Sequence, residues 1–96
     1  MMKKDKFESL EQVREKIDQL DQELIELIAT RQYYVDQAVR FKRTAEDVKS
    51  PERVQQVINK VRQQAIDVGT NPDLVENLYR EMIQHFIQRE LKEIRP

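Results

Sequence analysis

Two cations stand where apolar side chains belong. Leu10, Val13, Ile17, Leu20, Leu24 and Leu27 repeat at three- and four-residue intervals, the spacing of one helix face. Continuing that spacing lands on Arg31, then Val35 and Ala38, then Lys42. A charge among apolar neighbours is costly unless it is paired. Arg14 lies at the edge of the same face, three residues before Ile17 and four after Leu10. Arg53 precedes Val57 and Val61 by four and eight residues, so it too points toward the apolar side of its segment. An acid accompanies these cations. Ile83, Ile87, Glu90 and Ile94 form one stripe, so Glu90 either pairs with an inward cation or stands desolvated as a neutral acid. Each residue also has a plainer reading. Long Lys and Arg side chains can lay their stems on a core edge and carry the charge out to water. Glu90 can belong to a structural salt bridge or a fraying helix end.

The rest of the sequence narrows the chemistry. Cysteine is absent, which excludes thiolate catalysis, disulfides and Cys-ligated metals. The single histidine, His85, lies off the main stripe between Gln84 and Phe86 and reads as exposed or partner-facing. No His/Asp/Glu metal spacing and no Gly-rich phosphate loop occurs, so neither a metal nor a cofactor is expected. Cations without a nucleophile suit a reaction that needs charge complementarity and conformational restraint. Pericyclic rearrangement of a dianion is such a reaction.

Helices must position these residues. One Gly and three Pro in 96 residues leave little material for the turns of a β protein. Ser9-Leu10-Glu11-Gln12 fits a capping box that opens a first helix, and no Gly or Pro interrupts it before Pro51. That helix is expected from about residue 9 to about residue 42, roughly 50 Å long. A second opens at Ser50-Pro51-Glu52, with Ser50 as N-cap, and stops at Gly69. Its apolar face is Val54, Val57, Ile58, Val61, Ala65 and Val68. A third opens at Asn71-Pro72-Asp73 and runs through Leu74, Val75, Leu78, Tyr79, Met82, Ile83, Phe86 and Ile87 to about residue 94. Residues 43–49 read as a short polar connection, the one plausible flexible loop. The predicted fold is all-α, three helices per chain with one very long, in a single domain over residues 1–96 whose first eight are expected to be flexible.

A globule of this length is about 35 Å wide, so the first helix overhangs it. Its apolar stripe runs the whole way and must be covered. A second copy of the chain, with the long helices antiparallel, is the simplest cover. The alternative is a helix broken near Thr30, giving a four-helix monomer. Arg31 and Lys42 are about 16 Å apart along the axis, close enough for their side chains to lean together on a small ligand. Arg14 is about 25 Å from Arg31 on the same helix, too far to share one small site. In an antiparallel dimer the partner's Arg14 can arrive beside Arg31.

Net charge gives no hint of nucleic-acid binding: 17 Lys and Arg stand against 18 Asp and Glu. The charged N-terminus does not read as a signal peptide, and no apolar run approaches a membrane span. A cytoplasmic protein, without nucleic acid or membrane as partner, is expected.

Over nearly its whole length, Leu10 to about Ile94, the chain resembles the all-helical chorismate mutase family. The resemblance rests on residues 13–21 (VREKIDQLD), Arg31, Arg40-Phe41-Lys42 and Pro51-Glu52-Arg53-Val54. The last two segments are especially similar to the branch containing the isochorismate pyruvate lyases of salicylate synthesis, which also includes mutases acting on aminodeoxychorismate. The resemblance implies an intertwined antiparallel homodimer that needs no cofactor and takes a small dicarboxylate. Arg31 and the partner's Arg14 would hold its two carboxylates, and Arg53 would help bind a carboxylate or hydroxyl. Lys42 would donate to the ether oxygen of the enolpyruvyl group. Val35, Ala38, Val57, Ile83 and Ile87 would supply apolar walls. Residues 43–49 would close over the site.

Glu90 departs from that pattern, because the family usually places a glutamine there as a second donor to the ether oxygen. An ionised carboxylate would repel the growing charge, whereas a protonated one would donate. Two enzyme activities fit the same cations, chorismate to prephenate and isochorismate to salicylate plus pyruvate, and the first is taken as the expectation. A non-catalytic helical dimerisation module is the alternative of another class.

Overall fold

The computed structural model describes residues 6–93. Ile94, expected at the end of the Glu90 stripe, lies outside them, as do the first five residues of the N-terminal segment. Four helices follow one another: α1 (Leu10–Val39), α2 (Ala45–Lys49), α3 (Pro51–Val68) and α4 (Pro72–Glu93). Among the described residues there is no strand, so the all-α expectation holds. The three long helices are present, and a fourth, of a single turn, stands where a loop was expected.

Local signals set most of the boundaries. Ser9 Oγ accepts from the Gln12 N–H at 3.2 Å, as a capping box requires. The Gln12 side chain reaches back one residue further than expected and accepts from Glu8 N–H at 3.0 Å. Asn71 Oδ1 accepts from the N–H groups of Asp73 and Leu74, satisfying two of the unpaired donors of α4. Glu52 and Asp73, in the first turns of α3 and α4, carry charge of the sign the helix dipole favours there. Gly69 closes α3 at φ +85°, where a side chain would strain the backbone. Its N–H bonds Ile66 O at 3.1 Å, and Thr70 N–H bonds Ala65 O at 2.9 Å.

α1 ends three residues before its expected limit. Arg40, Phe41 and Lys42 donate to Gln37, Ala38 and Val39, so the helix tightens into i→i+3 turns. The next two N–H groups, of Arg43 and Thr44, then bond Asp47 Oδ2 at 3.0 and 3.2 Å. With those donors captured, the chain leaves the helix and α2 begins. Thr44 Oγ1 accepts from the Asp47 N–H at 3.1 Å and completes a reciprocal capping box.

Ser50 was expected as the N-cap of α3 and does not cap it through its side chain. It ends α2 and begins α3 at once, at φ 33° and ψ 63°. Its hydroxyl points backward and donates to the Asp47 carbonyl. A non-glycine residue in this left-handed region, directly before a proline, carries on the order of 1–3 kcal/mol of backbone strain.

The described residues fall into two compact units that divide between Tyr34 and Val35. The first is helical throughout from Leu10, and no residue of α1 is buried. Leu10, Leu20, Leu24 and Leu27 are each more than half exposed. The second unit holds the core, which consists of Val48 of α2, Ile58, Val61 and Ala65 of α3, and Phe86 of α4. α3 packs along α4, and α2 also packs on α4. Val68, expected on the apolar face of α3, is exposed. An ion-pair chain clamps the far end of the α3–α4 pair. Arg62 meets Asp73 at 2.9 Å and Glu76 at 2.7 Å, while Glu76 also holds Arg80 at 2.6 Å.

Candidate functional site

Lys42 and Glu90 meet in the second unit. The tightened end of α1 delivers Lys42, and α4 presents Glu90 one turn beyond Ile87. Lys42 Nζ donates to Glu90 Oε1 at 3.2 Å. Glu90 is the one buried polar residue among those described, and Lys42 is half-buried. Of the two readings open for Glu90, pairing with an inward cation is the one observed. Asp36 of α1, six residues before Lys42, and Arg89 of α4, next to Glu90, form a longer, half-exposed pair at 3.6 Å. Two successive α4 residues thus tie down the end of α1.

The other expected site residues divide by exposure. On α1, Val35 is half-buried and Ala38 exposed. Val57 on α3 and Ile83 and Ile87 on α4 are half-buried. Arg53, expected to point toward the apolar side of α3, is exposed, since the buried stripe of that helix runs through Ile58, Val61 and Ala65. In the first unit Arg31 is half-buried while Arg14 is exposed on an α1 turn with no buried neighbour. Of the four expected cations, Arg31 and Lys42 are thus half-buried and Arg14 and Arg53 exposed within one chain. His85 is exposed, as expected, and its ring lies edge-on to Phe86.

The 43–49 segment is the main correction. It is a capped helical turn and not an open connection. Val48, its one buried residue, is 2% exposed in a turn that packs on α4. The Asp47 carboxyl is held below the usual carboxylate range, first by the Arg43 N–H and then by the Thr44 N–H. Both bonds are made to the charged form. Sequence reasoning missed Val48 and Asp47, although Thr44-x-x-Asp47 is a readable capping signal.

A groove of about 990 Å³ opens between the start of α3 and the middle of α4. Pro51, Val54, Ile83 and Ile87 give it apolar wall, and Lys49 and Arg80 put cations at it. Two of the five expected wall residues, Ile83 and Ile87, therefore line a real depression. Lys42, Arg53, Val57 and Glu90 are not among its lining. Among the described residues no cluster of His, Asp and Glu suits a metal ion. No described helix is long and apolar enough to cross a membrane.

What the Lys42–Glu90 pair can do follows from its setting. A half-buried ammonium is a strong, directed hydrogen-bond donor toward a ligand oxygen that gains negative charge. Its present acceptor is an internal carboxylate, so an anionic ligand must displace or share that bond.

Residues 13–91 match the model of a family described as chorismate mutase type II. The chain is also 30% identical over 83 residues to the isochorismate pyruvate lyase of Pseudomonas aeruginosa, covering 86% of this chain and 82% of that protein.

Proposed function

Because the chain belongs to the chorismate mutase type II family, we propose that it converts chorismate to prephenate without a cofactor. The observation that carries this reading at the site is Lys42, half-buried and donating, with apolar residues on the same helices. In the rearrangement one C–O bond breaks as a C–C bond forms within a single molecule. The protein need supply no nucleophile. It binds the dianion in a compact conformation and stabilises charge on the ether oxygen.

Lys42 donates to that oxygen. Arg31 and Arg14 of the partner subunit bind the two carboxylates, and Arg53 binds a carboxylate or hydroxyl. Val35, Ala38, Val57, Ile83 and Ile87 exclude water around the ring. Glu90 holds the Lys42 ammonium at the site until the ether oxygen takes over as its acceptor.

The homodimer is part of the proposal. The apolar stripe of α1 is uncovered along its length, with Leu20 54%, Leu24 56% and Leu27 66% exposed, which supports a second copy as its cover. A cytoplasmic location belongs to the same reading and is checked by cell fractionation.

The similarity to an isochorismate pyruvate lyase favours a second reading. In it the same cations hold isochorismate, the ether bond breaks, and a ring hydrogen moves to the side chain to give salicylate and pyruvate. Separate incubations with chorismate and isochorismate decide between the two. Loss of chorismate absorbance marks the mutase, and salicylate fluorescence marks the lyase. If neither substrate turns over and Arg31→Ala leaves dicarboxylate binding unchanged, the chain is a non-catalytic helical module.

A further inference from the structure

We propose that Val48 is a positioning residue: it latches α2 onto α4 and thereby holds Lys42 in place before any substrate arrives. The argument starts from what a single helical turn can do alone. Five residues of helix do not persist in water without packing. Here the turn must also pass through the strained backbone of Ser50 and enter a proline. The Thr44–Asp47 box satisfies backbone groups, but both residues are exposed and anchor the turn to nothing else. The one side chain of α2 that is removed from water is Val48, at 2% exposure.

The helix that α2 packs on, α4, is also the helix that carries Glu90, the partner of Lys42. The strap from Lys42 to Pro51 is therefore fixed at two places, an ion pair at its start and an apolar plug near its end. Between them Asp47 gathers the N–H groups of Arg43 and Thr44, which shortens the path. With Val48 docked, Lys42 has little freedom to swing into solvent, and Arg53 follows from a fixed joint. Without it, the chain after Lys42 would be held only by the Lys42–Glu90 pair, whose ammonium is itself 24% exposed. The role assigned to Lys42 rests on the proposed function, whereas the latch itself does not.

The test compares full-length wild type with Val48→Ala and Val48→Ile. Amide exchange of residues 44–50 is measured without ligand, with the α3 and α4 amides as an internal reference. Wild type and Val48→Ile are expected to protect this segment. Val48→Ala is expected to speed its exchange about tenfold or more, with the α3 and α4 amides little changed. In turnover assays Val48→Ala is expected to lower kcat several-fold with a smaller change in KM, and Val48→Ile to restore it. Exchange in wild type as fast as in an unstructured peptide, or unchanged in Val48→Ala, overturns the latch whatever the turnover. Faster exchange with an unchanged kcat overturns the positioning role. Absence of turnover in wild type instead defeats the proposed function and the positioning role with it, and leaves exchange alone to judge the latch.

Discussion

Glu90 is the more deeply buried half of its ion pair: its side chain is 5% exposed against 24% for Lys42, at 3.2 Å. The two partners are therefore not equivalent when one is lost. Lys42→Met strands a buried carboxylate and is expected to destabilise the fold by about 1–3 kcal/mol. Glu90→Gln leaves an amide that can still accept, beside an ammonium that can reach water, and should cost less than about 1 kcal/mol. Urea unfolding of the two variants reads the asymmetry, and equal losses would contradict it. Activity should separate them further. Lys42→Met loses the donor to the ether oxygen and should fall about a hundredfold or more. Glu90→Gln supplies a neutral donor and removes the carboxylate charge that competes for Lys42, so its activity at neutral pH should rise. A fall would assign Glu90 a different role.

The cap of α2 should respond to acid. Asp47 accepts the Arg43 and Thr44 N–H groups as a carboxylate, and these bonds hold its pKa below the usual range. A group lowered in this way contributes stability that is complete above its unfolded pKa and is lost as pH falls through the folded one. The amides of Arg43 and Thr44 should thus stay protected down to about pH 4 and lose protection below it. Asp47→Asn retains an acceptor oxygen without the charge, so its residual protection should not vary with pH over that window. An NMR pH titration of both proteins follows it directly.

Sequence disclosed this fold where a signal acts within one turn of chain. Ser9 with Gln12, Gly69, and Asn71 before Pro72 fixed their helix ends because the capping atoms are local. The same logic was present at Thr44 and Asp47, but a turn of five residues carries too little apolar pattern to announce itself. Ser50 misled because Ser-Pro is a helix start in most settings, whereas here two helices share that one residue and its backbone must serve both. Lys42 and Glu90 were each visible as a charge on an apolar stripe. Their pairing was not, since it joins positions 48 residues apart. The burial of Val48 is equally a matter of tertiary packing, and no local spacing encodes it.

The exposed stripe of α1 leads to a prediction about assembly. Leu24 sits at its middle, 56% exposed. Covering a leucine is worth about 1.5–3 kcal/mol, and a symmetric dimer covers two. Leu24→Lys should therefore raise the dimer dissociation constant about a hundredfold or more, and activity should fall with it at low protein concentration. Sedimentation over a dilution series shows whether mass and activity decline together. A wild-type protein that sediments as a monomer at every concentration would remove the dimer from the proposal.

If Arg14 serves the partner's site, then two inactive variants can repair each other. Arg14→Ala removes that residue from the site on the other subunit, while Arg31→Ala removes a residue from its own. Each homodimer then has two defective sites. A mixed dimer has one site lacking both arginines and one lacking neither. Unfolding and refolding the variants together in equal amounts makes half of the dimers mixed, so about one quarter of all sites should be intact. The mixture should recover about that fraction of wild-type turnover, and either variant refolded alone should not. A monomer that used both arginines within one chain would give no recovery, because mixing would create no chain that carries the pair. If Arg14 lay outside the site, Arg14→Ala refolded alone would keep full activity and the mixture about half of it, so that single measurement tells the cases apart.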